Sequence, residues 1–235
     1  MVNKHLLGPK EIATYIDHTF LRAEATEEDI RKLCREAQNY NFAAVCVNPI
    51  YVRLAKQILN NTTIKVCSVA GFPLGAHLTE IKAREANKAI EDGADEIDMV
   101  IQIGALKSGN NEKVLDDIKR VTEVCHHGNA ICKVIIETAF LTDEEKVRAC
   151  QIAIKAGADF VKTSTGFSSK GASVEDVLLM KKAVVGCEVK VKASGGIRSY
   201  ADALRMIEAG ASRIGTSAGV KIVEEAATVV NSRAV

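Results

Sequence analysis

The chain has 235 residues, of which 47% are hydrophobic and 26% are charged. These proportions are typical of a soluble globular protein and exclude a disordered chain, and the length suits one α/β barrel. Lys and Arg total 31 against 30 for Asp and Glu, so we expect no broad positive surface for nucleic acid or an anionic membrane. The composition predicts one domain over residues 1–235 that binds anions only locally.

Targeting and redox signals are weak throughout the chain. No stretch of about 18 apolar residues could span a bilayer, and the first ten residues lack the apolar segment of a signal peptide. The seven cysteines are scattered, and Cys46 lies inside the apolar run 43–47. No Cys-x₂-Cys or His-x₃-His pair occurs. We therefore expect reduced, mostly buried thiols, no metal site and a cytoplasmic location.

Short runs rich in Val, Ile and Ala predict eight β-strands separated by helices. In chain order the predicted strands are 14–17, 43–47, 64–69, 96–100, 132–136, 160–162, 189–192 and 213–215. Thr26 and Thr142 each precede an acidic run with an acid three residues later, which is typical of a helix start. Gly93, Gly157 and Gly210 each lie where a helix should end in a left-handed turn before the next strand.

This alternation predicts the fold class. Apolar strands joined by helices favour a parallel sheet covered on both faces, and eight strand–helix units close a (β/α)8 TIM barrel. An open doubly wound sheet is the alternative, but such a sheet normally carries a glycine-rich nucleotide loop after its first strand. Here the first predicted strand leads into Asp-His-Thr-Phe at 17–20. The sequence therefore favours an α/β TIM barrel of one domain.

Charged residues interrupt several of the predicted strands. Lys162 and Lys192 end the sixth and seventh strands, Asp98 lies within the fourth, Lys133 has a similar position on the fifth, and Asp17 ends the first. Catalytic groups of such barrels lie at the carboxyl ends of the strands. Because a lone buried charge is costly, we expect these side chains to satisfy one another at that end.

Two lysines on consecutive strands suggest a specific chemistry. If Lys162 and Lys192 lie close together, mutual repulsion and desolvation favour a neutral amine that can attack a carbonyl, and Asp98 can then move protons. A purely structural ion network is one alternative. A phosphosugar isomerase or epimerase with Asp98 as base is another, and a sugar-phosphate-binding protein without catalysis is a third.

Glycine-bearing turns follow the sixth, seventh and eighth predicted strands. Such loops, beside the start of a helix, form the common phosphate site of these barrels, although glycine also simply permits tight turns. Cys46, at the end of the second strand, is predicted to line the same pocket. The residues predicted to bind substrate in the loops are Thr165, Gly166, Gly195, Gly196, Thr216 and Ser217.

Several segments carry a resemblance to a known family. They are Ile-Asp-His-Thr at 16–19, Glu-Ile-Asp-Met-Val at 96–100, Lys-Val-Ile-Ile-Glu-Thr at 133–138, Phe-Val-Lys-Thr-Ser-Thr-Gly at 160–166 and Val-Lys-Ala-Ser-Gly-Gly-Ile-Arg at 191–198. In this order, and over nearly the whole chain, they resemble the signature segments of the deoxyribose-phosphate aldolases.

The resemblance implies that Lys162 forms a Schiff base, that Lys192 tunes the pKa of that amine and that Asp98 relays protons. It implies reversible cleavage of 2-deoxy-D-ribose 5-phosphate to acetaldehyde and D-glyceraldehyde 3-phosphate, in deoxyribose phosphate catabolism, without metal or organic cofactor. Asp17, Thr19 and Lys133 are expected to contribute to substrate binding. Barrel helices can also self-associate, so we expect a homo-oligomer, most simply a dimer.

One position departs from the family pattern. Some members carry a lysine after the Thr-Gly of the sixth-strand loop, and this lysine assists phosphate binding, whereas this chain has Phe167 there. Phosphate contacts are therefore expected to depend more on backbone amides and hydroxyls.

Overall fold

The structure, a computed structural model, describes residues 6–232. Eight parallel strands pair in chain order, and the eighth pairs with the first to close a barrel. The predicted (β/α)8 barrel is confirmed. The strands are β1 (Ile16–Phe20), β2 (Ala44–Val47), β3 (Lys65–Ala70), β4 (Glu96–Val100), β5 (Ile131–Ile135), β6 (Phe160–Lys162), β7 (Lys190–Ser194) and β8 (Arg213–Thr216).

Helices connect successive strands and cover the outside of the barrel. Short 3₁₀ turns also follow β2 and β5, at Pro49–Tyr51 and Thr138–Phe140. Within residues 6–232, no helix has the length and apolar character needed to cross a membrane. The helices are α1 (Pro9–Ala13), α2 (Glu27–Tyr40), α3 (Val52–Ile58), α4 (Thr79–Glu91), α5 (Ile103–Lys107), α6 (Asn111–His127), α7 (Asp143–Lys155), α8 (Val174–Ala183), α9 (Tyr200–Glu208) and α10 (Gly219–Asn231).

The predicted helix-start and helix-end signals are confirmed by the structure. Thr26 and Thr142 form capping boxes at the starts of α2 and α7, so that side chains satisfy amides that the first turn leaves unpaired. Gly93, Gly157 and Gly210 have φ values of 109°, 80° and 110°. Residues with a Cβ rarely adopt this conformation, which explains the glycine at each of these helix-to-strand turns.

The first strand differs from its prediction. Thr14 caps the end of α1, and β1 begins at Ile16, so Asp17 is the second residue of the strand and not its last. The prediction was wrong because polar His18 and Thr19 resembled a loop. The His18 side chain is instead buried outside the barrel, where its ring nitrogen Nε2 lies 2.7 Å from a carboxylate oxygen of Glu36.

The buried apolar side chains form two separate clusters. The larger lies between the barrel and the helices and includes alternate strand residues such as Val45 and Ile97. The smaller contains Leu21, Cys46, Cys67 and Val69, with the ring of Phe72 packed against it. Branched apolar side chains usually fill the inside of such a barrel. Here much of that space is occupied by charged residues, which must be paired to be stable there.

The seven cysteines are free thiols. Six of them are buried, and Cys187 is exposed.

A buried ion pair joins two helices outside the barrel. The Lys82 ammonium on α4 donates to Asp117 Oδ2 on α6 at 2.6 Å and to the Val100 carbonyl at 2.7 Å. Both charged side chains are fully buried. Thr79 and Gln102 donate to the other carboxylate oxygen, so the hydrogen-bonding groups of the pair are satisfied. Removal of one partner would leave an uncompensated buried charge.

We predict that Lys82→Met lowers the free energy of unfolding by roughly 3–5 kcal/mol, the usual effect of breaking one side of a buried pair. Lys88→Met is the control, because Lys88 lies on the same helix and makes only surface ion pairs worth about 0–1 kcal/mol. Equilibrium urea unfolding measures both. Equal midpoints for the two variants would contradict a structural role for the Lys82 pair.

Candidate active site

Three ammonium groups converge on one carboxylate inside the barrel. The Nζ atoms of Lys162 and Lys192 each lie 2.7 Å from Asp98 Oδ2, and Lys133 Nζ lies 2.8 Å from Asp98 Oδ1. The strand register produces this arrangement, because Lys162 pairs with Lys192 and Asp98 pairs with Lys133 across adjacent strands. The structure therefore brings the three predicted catalytic residues together.

Further charges complete this buried network. Asp17 Oδ2 lies 2.5 Å from Lys192 Nζ, and Glu96 Oε2 lies 2.6 Å from Lys133 Nζ. Arg213 bridges the two acids at 2.5 and 2.9 Å. We call the seven residues the lysine cluster; it contains three carboxylates and four cationic side chains, namely Asp17, Glu96, Asp98, Lys133, Lys162, Lys192 and Arg213.

The lysine cluster fixes the charge state of most of its members. Burial alone would raise the pKa of Asp98, but Lys133, Lys162 and Lys192 hold it well below its usual value. Burial opposes ionisation of Asp17 too, yet Lys192 and Arg213 lower its pKa to about 2. Burial would lower the pKa of Lys192, but Asp17 and Asp98 raise it above its ordinary value. Lys192 is therefore a permanent cation at neutral pH.

A cleft of about 420 Å³ opens beside the lysine cluster. Loops after β1, β6, β7 and β8 form its walls, together with Thr19 and Leu21. Lys162 is the one member of the lysine cluster that lines this cleft within the described residues. A molecule entering the cleft therefore meets the Lys162 amine first, while Lys192 and Asp98 lie behind it.

Two hydroxyls that were predicted to bind substrate, those of Thr165 and Thr216, have other partners, as does the neighbouring hydroxyl of Ser194. Thr216 Oγ1 donates to the Ile197 carbonyl, and Ser194 Oγ donates to the Ser164 carbonyl, both at 2.7 Å. The hydroxyl of Thr165 donates to the Glu137 carboxylate. These side chains border the cleft, but their hydroxyl protons are used to shape the loops.

Backbone amides in the same loops remain available. Among residues 6–232, the N–H groups of Gly166, Gly195, Gly196 and Ser217 donate to no acceptor in the protein. All four residues line the cleft. Unpaired amides that surround a cleft favour an anion, because each one retains an unused positive dipole.

Three predicted substrate-binding residues lie deeper than expected. Asp17 and Lys133 are fully buried members of the lysine cluster, and Cys46 belongs to the smaller apolar cluster. None of the three lines the cleft. Two arginines that were not predicted, Arg22 and Arg198, do line it. Arg198 is the last residue of the signature segment 191–198, so the sequence did offer a reason to predict it. No motif in the sequence around Arg22 points to a role in the site.

One group of potential metal ligands overlaps the site. Ligand atoms of Cys46, Cys67 and Asp98 lie within 4.8 Å of one another. The surroundings do not fit a cation, because three ammonium groups already contact Asp98. Burial also raises the pKa of the Cys67 thiol well above its ordinary value.

A larger groove, of about 810 Å³, lies between the β3–α4 loop and the first turns of α6. It contains no member of the lysine cluster. Its side chains include the basic residues His77, Lys113 and Arg120. The Lys162 amine and the unpaired amides belong to the smaller cleft.

Comparison with known proteins agrees with this geometry. Residues 11–225 match the family model described as DeoC/LacD family aldolase. The chain is 63% identical over 222 residues to the deoxyribose-phosphate aldolase of Thermococcus kodakarensis, covering 94% of this chain and 99% of that protein. It is 60% identical over 217 residues to the one of Caldicellulosiruptor saccharolyticus, covering 92% of this chain and 98% of the relative.

A solved structure supports the same relationship. The deoxyribose phosphate aldolase from Aeropyrum pernix, described as having a unique tetrameric structure, superposes with a TM-score of 0.87 at 38% identity. The match covers 92% of this chain and 91% of the other. The chain therefore belongs to the DeoC/LacD family of aldolases.

Proposed function

We propose that the protein is a class I aldolase that cleaves 2-deoxy-D-ribose 5-phosphate reversibly to acetaldehyde and D-glyceraldehyde 3-phosphate, with Lys162 as the Schiff-base residue. The observation that carries the proposal is the position of Lys162, which is the one lysine-cluster member on the cleft within residues 6–232. The names of the relatives support the substrate, and the family match supports the reaction class.

The charge balance of the lysine cluster supports Lys162 as the nucleophile. With all groups ionised, four cations face three carboxylates, so one positive charge has no buried counterpart. Lys162 contacts a single carboxylate, whereas Lys133 and Lys192 each contact at least two. With Lys162 as the neutral amine that attack needs, three cations face three carboxylates and the charges of the cluster balance.

The reaction follows from this amine. Lys162 adds to the aldehyde carbon of the open-chain sugar, and loss of water gives an iminium ion. The iminium accepts the electrons of the breaking bond between C2 and C3, while the 3-hydroxyl loses its proton and becomes the aldehyde of the released triose phosphate. The enamine left on Lys162 then takes up a proton at C2, and hydrolysis of the resulting iminium releases acetaldehyde and the free amine. In the proposed reaction, Asp98, an anion 2.7 Å from the amine, and the neighbouring ammonium of Lys192 pass protons during these steps.

The loops after β6, β7 and β8 suit the phosphate. Four free amides, those of Gly166, Gly195, Gly196 and Ser217, line the same cleft as Lys162. Arg198 also lines this cleft. Phosphate binding by amides and an arginine agrees with the phenylalanine at position 167, which supplies no charge.

We further propose a homo-oligomer located in the cytoplasm. Ile50, Leu74 and Leu78 are 80%, 73% and 67% exposed on loops after the neighbouring strands β2 and β3, which suits burial against a second copy. The tetramer described for the Aeropyrum pernix relative supports self-association in general. The free thiols suit a reducing compartment.

Incubation with acetaldehyde and borohydride should leave a reduced two-carbon adduct on Lys162. Peptide mapping by mass spectrometry locates it, and Lys162→Ala should lose both the adduct and at least about a thousandfold of kcat, since the covalent intermediate cannot form. Lys190→Ala is the control, because Lys190 lies on the adjacent strand and outside the lysine cluster. A fully active Lys162→Ala enzyme would end the proposal.

Lys192→Met should move the acid limb of the pH–rate profile to higher pH by about one unit or more and lower kcat/KM at pH 7 by at least about tenfold. The sign follows from the charge lost: without the permanent Lys192 cation, the neighbouring amine retains its proton to a higher pH. The profile of kcat/KM between pH 5 and 10 measures this shift. Lys190→Met on the same strand should leave it in place, and an unmoved limb in Lys192→Met would argue against tuning.

Arg198→Ala should raise KM for the phosphorylated sugar about tenfold while kcat changes little, because a charge-assisted contact to phosphate is lost in ground and transition states alike. Steady-state kinetics measure both constants. Arg205→Ala is the matched control, since Arg205 lies on α9 and pairs with Asp202 at the surface. The same KM in both variants would place the phosphate elsewhere.

A further inference from the structure

Glu137 is a buried acid that the chemistry described above does not use. It follows β5 and is 1% exposed, with φ and ψ of 55° and 72°. A glutamate rarely adopts this left-handed conformation, and surrounding contacts must hold it there. Within residues 6–232 its carboxylate forms no ion pair. Its partners are neutral donors of the loop that follows β6.

The contacts of Glu137 converge on one side of the cleft. Its Oε2 atom accepts hydrogen bonds from the Thr165 amide at 3.1 Å and from the Thr165 hydroxyl at 2.5 Å. Its Oε1 atom accepts from the Ser168 hydroxyl at 3.0 Å. Thr165 Oγ1 accepts in turn from the Phe167 amide at 3.1 Å. One carboxylate thus fixes the backbone on both sides of Gly166.

The far end of the same loop is held by β7. The Ala172 amide donates to the carbonyls of Ser194 and Gly195 at 3.1 and 3.0 Å. A Cβ on Gly171 would lie 2.1 Å from the Gly195 carbonyl oxygen, so the two backbones are in direct contact. Glu137 and this glycine contact together hold Gly166 against Gly195, on the wall that carries the unpaired N–H groups.

We propose that Glu137 is a positioning residue that sets the preference of the cleft for a phosphorylated sugar over its unphosphorylated counterpart. Its charged hydrogen bonds are stronger than neutral ones, and they preorganise the Gly166 amide toward an anion. Without Glu137, the 165–168 segment must be ordered each time phosphate binds, which weakens binding. The inference rests on the proposed phosphate site but not on the identity of the nucleophile.

The test uses Glu137→Ala and the near-isosteric Glu137→Gln in the full chain. Glutamine keeps an acceptor for Thr165 and presents its amide to Ser168, so it should rescue part of the effect. We expect KM for 2-deoxy-D-ribose 5-phosphate to rise about tenfold in Glu137→Ala and about threefold in Glu137→Gln, in line with lost charged hydrogen bonds. For unphosphorylated 2-deoxy-D-ribose, kcat/KM should change by less than about twofold.

Glu144→Gln is the control, because Glu144 is an exposed acid on the next helix and its loss changes the net charge equally. It should behave as the unmodified protein in every assay. Thermal melting establishes that each variant is folded, and if Glu137→Ala does not fold, Glu137→Gln alone carries the comparison.

Two further measurements separate this inference from the proposed function. Calorimetry with inorganic phosphate should show about tenfold weaker binding in Glu137→Ala, whether or not the protein turns over sugar. Borohydride trapping of acetaldehyde on Lys162 should be equal in the unmodified protein and both variants. Absence of trapping in the unmodified protein would refute the Schiff base and leave the phosphate result standing. Equal losses for both sugars, or unchanged phosphate binding, would overturn the role of Glu137.

Discussion

The shared contact of Lys162 and Lys192 with a single oxygen of Asp98 governs the rest of the site. Buried charges are stable only when paired, and here the pairing is incomplete by one carboxylate. Arg213 and Glu96 belong to this balance although they lie farther from the cleft, since they keep Asp17 and Lys133 ionised. A neutral amine on Lys162, the cluster member that lines the cleft, is the form that the proposed reaction requires, and it would balance the buried charges.

Polar and apolar groups lie on different sides of the cleft. On the side of β6 to β8, glycine loops present unpaired amides to the cleft. On the side of β1 to β3, Leu21 lines the cleft and belongs to the smaller apolar cluster, against which the ring of Phe72 packs. Phe167 joins the two sides, with its ring 5.3 Å from that of Phe72 and at 88° to it. The cleft therefore combines unpaired backbone amides with apolar side chains such as Leu21 and Phe167.

The main apolar core and the lysine cluster lie on opposite faces of the same strands. Residues such as Val45 and Ile97 face the helices and form the main core, while their neighbours face the interior. Charges inside the barrel therefore leave the outer packing intact. The loops that hold the amides have their own supports, namely the internal hydroxyl bonds of Thr216 and Ser194 and the Glu137 carboxylate.

The amino-acid sequence by itself determined eight strands, their order, the helix caps at Thr26 and Thr142, and the three lysines and Asp98 as charges out of place in apolar runs. These signals are local, because caps, glycine turns and apolar runs depend on neighbours in the chain. Only the tertiary structure decided that Asp17 is the second residue of β1 and not its last. The tertiary structure also decided that hydroxyls near the cleft, such as that of Thr216, donate to groups of the protein, and that Glu137 accepts hydrogen bonds from the loop after β6. Strands buried on both faces lack the alternation that would tell inward from outward positions, and contacts such as Arg213 with Glu96 depend on register between strands far apart in the chain.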